Sequence, residues 1–119
     1  MIASIENFFA ELKASATLGR ASKLARQGRK KDALELAKSG LENLRKKLAS
    51  RALVAQSSAH MALTIFAERL AKELGTSGAQ KIDLQDALNG LKSMPKEKLV
   101  GDLHASAEYL EYRLAQEPN

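Results

Sequence analysis

His60 and His104 are the two histidines of this chain, and Asp83/Asp86 and Glu108/Glu111 are acidic pairs spaced three apart. These side chains could carry proton transfer, since an imidazole titrates near neutrality and two carboxylates three residues apart share one face of a helix. Their surroundings argue for plainer roles. His60 lies in Ser58-Ala59-His60-Met61-Ala62-Leu63-Thr64, a stretch that predicts a hydrogen-bonded helix histidine. Neither histidine sits in an HExxH or other metal-ligand spacing. The acidic pairs are read as caps and solvated faces, because Asp and Glu favour first turns and exposed surfaces. Cysteine is absent, which removes thiolate nucleophiles, disulfides and Cys-ligated metals. There is no glycine-rich phosphate loop and no GxSxG elbow. The expectation is a non-enzymatic chain with no metal and no cofactor.

Charge is the stronger signal. Between Lys13 and Arg51 stand twelve Lys or Arg against Asp32, Glu35 and Glu42, a surplus of nine, while the segments on either side are each acidic by two. Arg45, Lys46 and Lys47 fall in the last turn of a helix, where cations stabilise the carbonyl end of the dipole. Arg29, Lys30 and Lys31 stand at a helix start, where positive charge opposes the dipole by about 0.3 kcal/mol or more each. A locally unfavourable choice points to a use. Joined by Arg20, Lys23 and Arg26 on the preceding helix, these three form a candidate anion-binding patch for carboxylates or phosphates.

The elements that position this patch are all helical. A length of 119 residues suits one domain, 1–119, with its own core. With 45% hydrophobic and 28% charged residues, the chain is an ordinary globular one. Apolar residues recur at three and four, and no segment alternates with period two. The first helix spans roughly Ile2 to Gln27, on a stripe of Ile5, Phe8, Phe9, Leu12 and Ala16 that Ala21, Leu24 and Ala25 continue. It ends at Gly28. The second runs about Lys30 to Leu48 on Leu34, Ala37, Leu41, Leu44 and Leu48. The third, on Ala55, Ala59, Ala62, Phe66 and Leu70, stops at Gly75, and Ser50 is the place for a break before it. Asp83 is the expected N-cap of a fourth carrying Leu84, Ala87, Leu88 and Leu91, and Pro95 opens a fifth with Leu99, Leu103, Ala107, Leu110 and Leu114. Twenty alanines and Gly40 on the second helix suit close helix contacts. The fold class is therefore all-α: an antiparallel bundle or short superhelix of about five helices.

From Ala21 to Leu44, ASKLARQGRKKDALELAKSGLENL resembles the helix–turn–helix of a tetratricopeptide repeat. Gly28 stands in its turn, Ala21 at its first small position, Ala33-Leu34 at its second-helix alanine and aliphatic, and Gly40-Leu41 at its later small and aliphatic pair. Thr17, Arg20, Leu24 and Arg45 depart from the pattern, and the chain does not repeat at 34 residues. The resemblance implies a scaffold that grips peptides or partner helices. His60 also resembles a histidine phosphotransfer residue, but Leu63 and Thr64 replace the lysine and glycine of that motif.

The expected function is a protein–protein interaction module that takes an acidic or carboxylate-bearing partner through Arg20, Lys23, Arg26, Arg29, Lys30 and Lys31. Two alternatives remain at this point. A nucleic-acid binder would use the same patch, although residues 13–51 contain no aromatic to stack bases. A helical inhibitor, such as an immunity protein for a cognate toxin, would show the same pattern. The acidic last helix could also pair with the basic second helix, in the same chain or in a second copy. No run reaches the length of a membrane span, and residues 1–13 lack the basic start of a secretory signal, so the expected location is cytoplasmic.

Overall fold

The computed structural model describes the backbone of residues 2–117 and the side chains of residues 5–117. Within them lie six helices and no strand: α1 (Ile2–Arg26), α2 (Lys30–Lys47), α3 (Arg51–Gln56), α4 (Ser58–Leu74), α5 (Lys81–Lys92) and α6 (Asp102–Gln116). The sixth arises because the expected third helix is split. Ser50 accepts a hydrogen bond from the Leu53 amide and Ser57 one from the His60 amide, so each serine caps a new helix and α3 forms a single corner between two caps. Two helix ends are glycine stops. At Gly28 (φ 83°) the Arg29 amide reaches back to the Leu24 carbonyl, and at Gly75 (φ 67°) the Thr76 amide reaches Ala71, the six-to-one bond that closes a helix around a left-handed residue.

The longer helices pack on one another in chain order. α1 lies along α2, α2 along α4, α4 along α5 and α5 along α6, while α3 packs on α5 and α1 also touches α4. The stripe of α2 is where its spacing puts it, with Leu34, Ala37, Leu41, Leu44 and Leu48 all buried. Gly40 lets α1 close on α2: a Cβ there would come within 2.9 Å of Thr17 Cγ2 and 3.4 Å of Leu63 Cδ1.

Three expectations are corrected. The long stripe assigned to α1 is in fact two stripes on opposite faces. Ala14, Thr17 and Ala21 enter the core with Ala10, Leu24 and Ala25 at its margin, whereas Ile5, Phe8, Phe9 and Leu12 point to solvent. Asp83 is not the cap of α5; Gln80 takes that place with no side-chain bond. Pro95 does not open the last helix. Residues 95–100 turn instead, and α6 begins at Asp102 after Gly101 at φ 57°.

The tightest glycine contact among the described residues is at Gly90, in the last turn of α5, where a Cβ would overlap the carbonyl oxygen of Ala55. Because that neighbour is backbone, α3 and α5 would have to separate. Gly90→Ala should lower unfolding free energy by about 1–3 kcal/mol as overpacking does. At Gly19, by contrast, nothing lies within 4 Å, and Gly19→Ala should raise stability by up to about 1 kcal/mol through helix propensity. Urea titration followed by circular dichroism checks both signs.

Candidate functional site

The six cations picked out in the sequence gather around the α1–α2 turn, all exposed. Lys23 and Arg26 lie in the last turn of α1, where they favour its carbonyl end. Arg29 is the N-cap of α2 and offers it no side-chain bond. Its guanidinium instead pairs with Asp32, at 2.8 Å from Nη2 and 3.0 Å from Nε. Lys30 crosses to the end of α4 and meets Glu73 at 2.9 Å. Arg20 donates to the Thr17 hydroxyl at 3.2 Å. Two of the cations at the α2 start thus have carboxylate partners, Asp32 and Glu73. Among the described residues Arg20, Lys23, Arg26 and Lys31 make no ion pair.

The larger polar feature went unseen in the sequence, and it is buried. Asp83, 1% exposed, sits where α2, α4 and α5 meet. Arg45 Nη1 donates to its Oδ2, and His60 Nε2 lies 3.0 Å from its Oδ1. A carboxylate only accepts, so His60 Nε2 is the donor in this contact, and its Nδ1 has no hydrogen-bond partner in the protein. Burial alone would raise the Asp83 pKa. The hydrogen bonds from His60 and Arg45, with the Arg45 charge, outweigh it and hold the carboxyl below its ordinary range.

One turn along α5, Asp86 is likewise buried and accepts from Arg51 Nη2 at 2.8 Å. The reading of Asp83 and Asp86 as caps or solvated groups is therefore corrected, and so is that of Arg45, which serves this carboxylate and not only the helix end. Glu108 and Glu111 do lie on an exposed face, where they meet His104 at 3.0 Å and Lys92 at 3.3 Å.

His60, Thr64 and Glu68 repeat every fourth residue and form a fully buried polar edge of α4. At its far end Glu68 accepts from Arg113 Nε at 3.3 Å, and Arg113 Nη2 reaches Glu117 at 2.9 Å. This ties α6 to α4, while the helix as a whole lies along α5. Among the described residues the acidic α6 does not pair with the basic α2 of its own chain, the first of the two possibilities left open by the sequence. Between α4 and α6 a cleft of about 210 Å³ remains, lined by Ile65, Glu68, Arg69, Lys72, Ser106 and Tyr109 among others. Burial and the nearby Glu68 carboxylate push the Tyr109 hydroxyl up, and Lys72 Nζ stands 5.5 Å from the centre of its ring.

These arrangements differ in what they can do. The buried groups hold helices in register through charge-assisted bonds. The exposed cations can meet an anion from solution. Among the described residues no group of three or more His, Asp or Glu converges to hold a metal ion, and no helix is long and apolar enough to cross a membrane. Comparison of the chain with protein-family models, with characterised proteins and with solved structures gave no match in any of the three.

Asp83→Ala should cost about 3–5 kcal/mol, because it leaves Arg45 and His60 without their acceptor in the interior. Acid should act through the same group. A carboxyl whose folded pKa is lowered contributes stability that is present above its unfolded value, about 3.9, and is lost as pH falls through the folded value. Urea midpoints should therefore drop on acidification below about pH 4, and Asp83→Asn, weaker at neutral pH, should show a shallower drop.

Proposed function

We propose that this chain is a non-catalytic protein–protein interaction module whose basic α1–α2 end takes an acidic, carboxylate-bearing segment of another protein. The observation that carries the reading is the gathering of six exposed cations at the α1–α2 end, apart from the arginines that serve the core. Arg45, Arg51 and Arg113, which lie over the core, each serve a buried carboxylate. Lys23, Arg26 and Lys31 at the exposed hairpin end make no ion pair among the described residues. Arg20, Arg29 and Lys30 complete the patch, the last two held in place by Asp32 and Glu73. Cations without internal partners add repulsion to the folded chain, which an external anion relieves. The antiparallel hairpin also suits the tetratricopeptide-like reading of Ala21 to Leu44, in which paired helices display a binding surface.

An acidic protein segment fits better than nucleic acid, because the cations have no aromatic among them on which bases could stack. The exposed Phe8 and Phe9 sit about 25 Å along α1 from Arg26, at 1.5 Å rise per residue.

The test uses the full chain, a Glu-rich decapeptide and mixed-sequence oligonucleotides, beside a Lys23→Glu/Arg26→Glu/Lys31→Glu variant. The variant should stay folded, since none of the three meets a carboxylate among the described residues. The peptide should bind with an affinity that the variant lowers at least about tenfold, the effect of losing several charge-assisted contacts. Oligonucleotides should bind no more tightly than about 10⁻⁴ M at physiological salt. Micromolar oligonucleotide binding with a log–log salt slope near −0.7 per phosphate, lost in the variant, would assign the patch to nucleic acid instead.

A further inference from the structure

α1 has a second apolar face that its own fold does not use. The core takes the side bearing Ala10, Ala14, Thr17, Ala21 and Leu24. On the opposite side Ile5, Phe8, Phe9 and Leu12 are 56%, 59%, 61% and 50% exposed, and Phe8 and Phe9 stand edge to face at 5.8 Å. Ala16 and Gly19 continue this face, also exposed. The series 5, 9, 12, 16, 19 steps by four and three in alternation, the seam of a paired helix. α1, 25 residues long, outruns the 18-residue α2 beside it, so its N-terminal turns stand clear of the bundle.

We propose that this face pairs with the same face of a second copy, the two α1 helices running antiparallel. Three features select that occupant and that direction. Size is complementary only when the helices oppose. The bulky half, Ile5 to Phe9, then meets the Leu12–Ala16 half of the other helix, whereas a parallel pair sets Phe9 against Phe9 and leaves Ala16 against Ala16.

Charge points the same way. Glu6 and Lys13 are seven residues apart on one flank of the seam, both exposed. In an antiparallel pair like flanks face each other, so Glu6 of each copy meets Lys13 of the other, twice. In a parallel pair each flank faces the opposite one and these pairs are lost.

The third feature is long-range. A parallel pair would bring the two basic hairpin ends side by side, while the antiparallel one sends them to opposite ends of the assembly. A bilayer is a poorer occupant. Residues 5–13 carry Glu6 and Glu11 against Lys13, without the cationic flank that holds an amphipathic helix on anionic lipid.

Sedimentation equilibrium of the full chain from 1 to 100 μM tests this, with circular dichroism to establish folding. Wild type should show twice the 12.9 kDa chain mass at the upper concentrations. Phe9→Glu, at an exposed position, should keep its helicity and weaken dimerisation at least about a hundredfold, since the change occurs twice at the interface centre. Glu6→Lys alone and Lys13→Glu alone should each weaken it roughly three- to tenfold, and the double exchange Glu6→Lys/Lys13→Glu should restore it. A monomer at 100 μM would overturn the proposal, as would a dimer indifferent to Phe9→Glu. Singles and double weakened alike would overturn the antiparallel register.

Discussion

Asp83 is the group around which the helices are fixed. A carboxylate taken out of water costs several kcal/mol unless its oxygens are met, and here each oxygen is met from a different helix: Oδ2 by Arg45 of α2, Oδ1 by His60 of α4. The three elements cannot slide or rotate past one another without stranding a charge. Apolar contacts between leucines and alanines would tolerate such shifts, because their attraction has little direction. The junction therefore supplies register to a core built almost wholly of alanine and leucine.

The same device recurs at lower cost around that point. Asp86 is as buried as Asp83, but its Arg51 partner is largely in solvent. Glu68 holds α6 through Arg113, itself mostly covered, with Glu117 on the other side of the guanidinium. Along α4 the polar edge His60, Thr64 and Glu68 replaces what a simpler bundle would make leucine. Its leftover atoms, His60 Nδ1, Thr64 Oγ1 and Glu68 Oε1, have no protein partner. Part of the stability is thus given up for a unique arrangement, a trade well attested where a buried polar residue fixes register.

What the sequence disclosed and what it concealed divide along physical lines. The seam of α2, the glycine stop at Gly75 and the close contact at Gly40 were legible, because burial of apolar residues and glycine backbone freedom both leave local marks. The polar face of α4 was not: hydrophobic periodicity weighs Ala62 and Phe66 above His60 and Glu68, and pairing partners 23 and 45 residues away give no local signal. In α1 two apolar faces overlapped in the heptad count, and only an angular separation distinguishes Phe8 from Thr17. The candidate patch was visible as a charge surplus. Its inner division was not, since which cation meets Asp32, Glu73 or Asp83 depends on how three helices come together.

The order in which elements pack has a kinetic consequence. Most helix pairs here join chain neighbours, α1 with α2, α4 with α5, α5 with α6. Loops closed early are therefore short, the condition under which helical bundles reach the folded state in microseconds to milliseconds. Among the exceptions, which include the 45-position bond from Arg113 to Glu68, is the bond from Arg45 to Asp83, which spans 38 positions and can form only once both hairpins exist. It reports completion of the search and does not start it, so its loss should appear mainly as faster unfolding, with the refolding rate little changed.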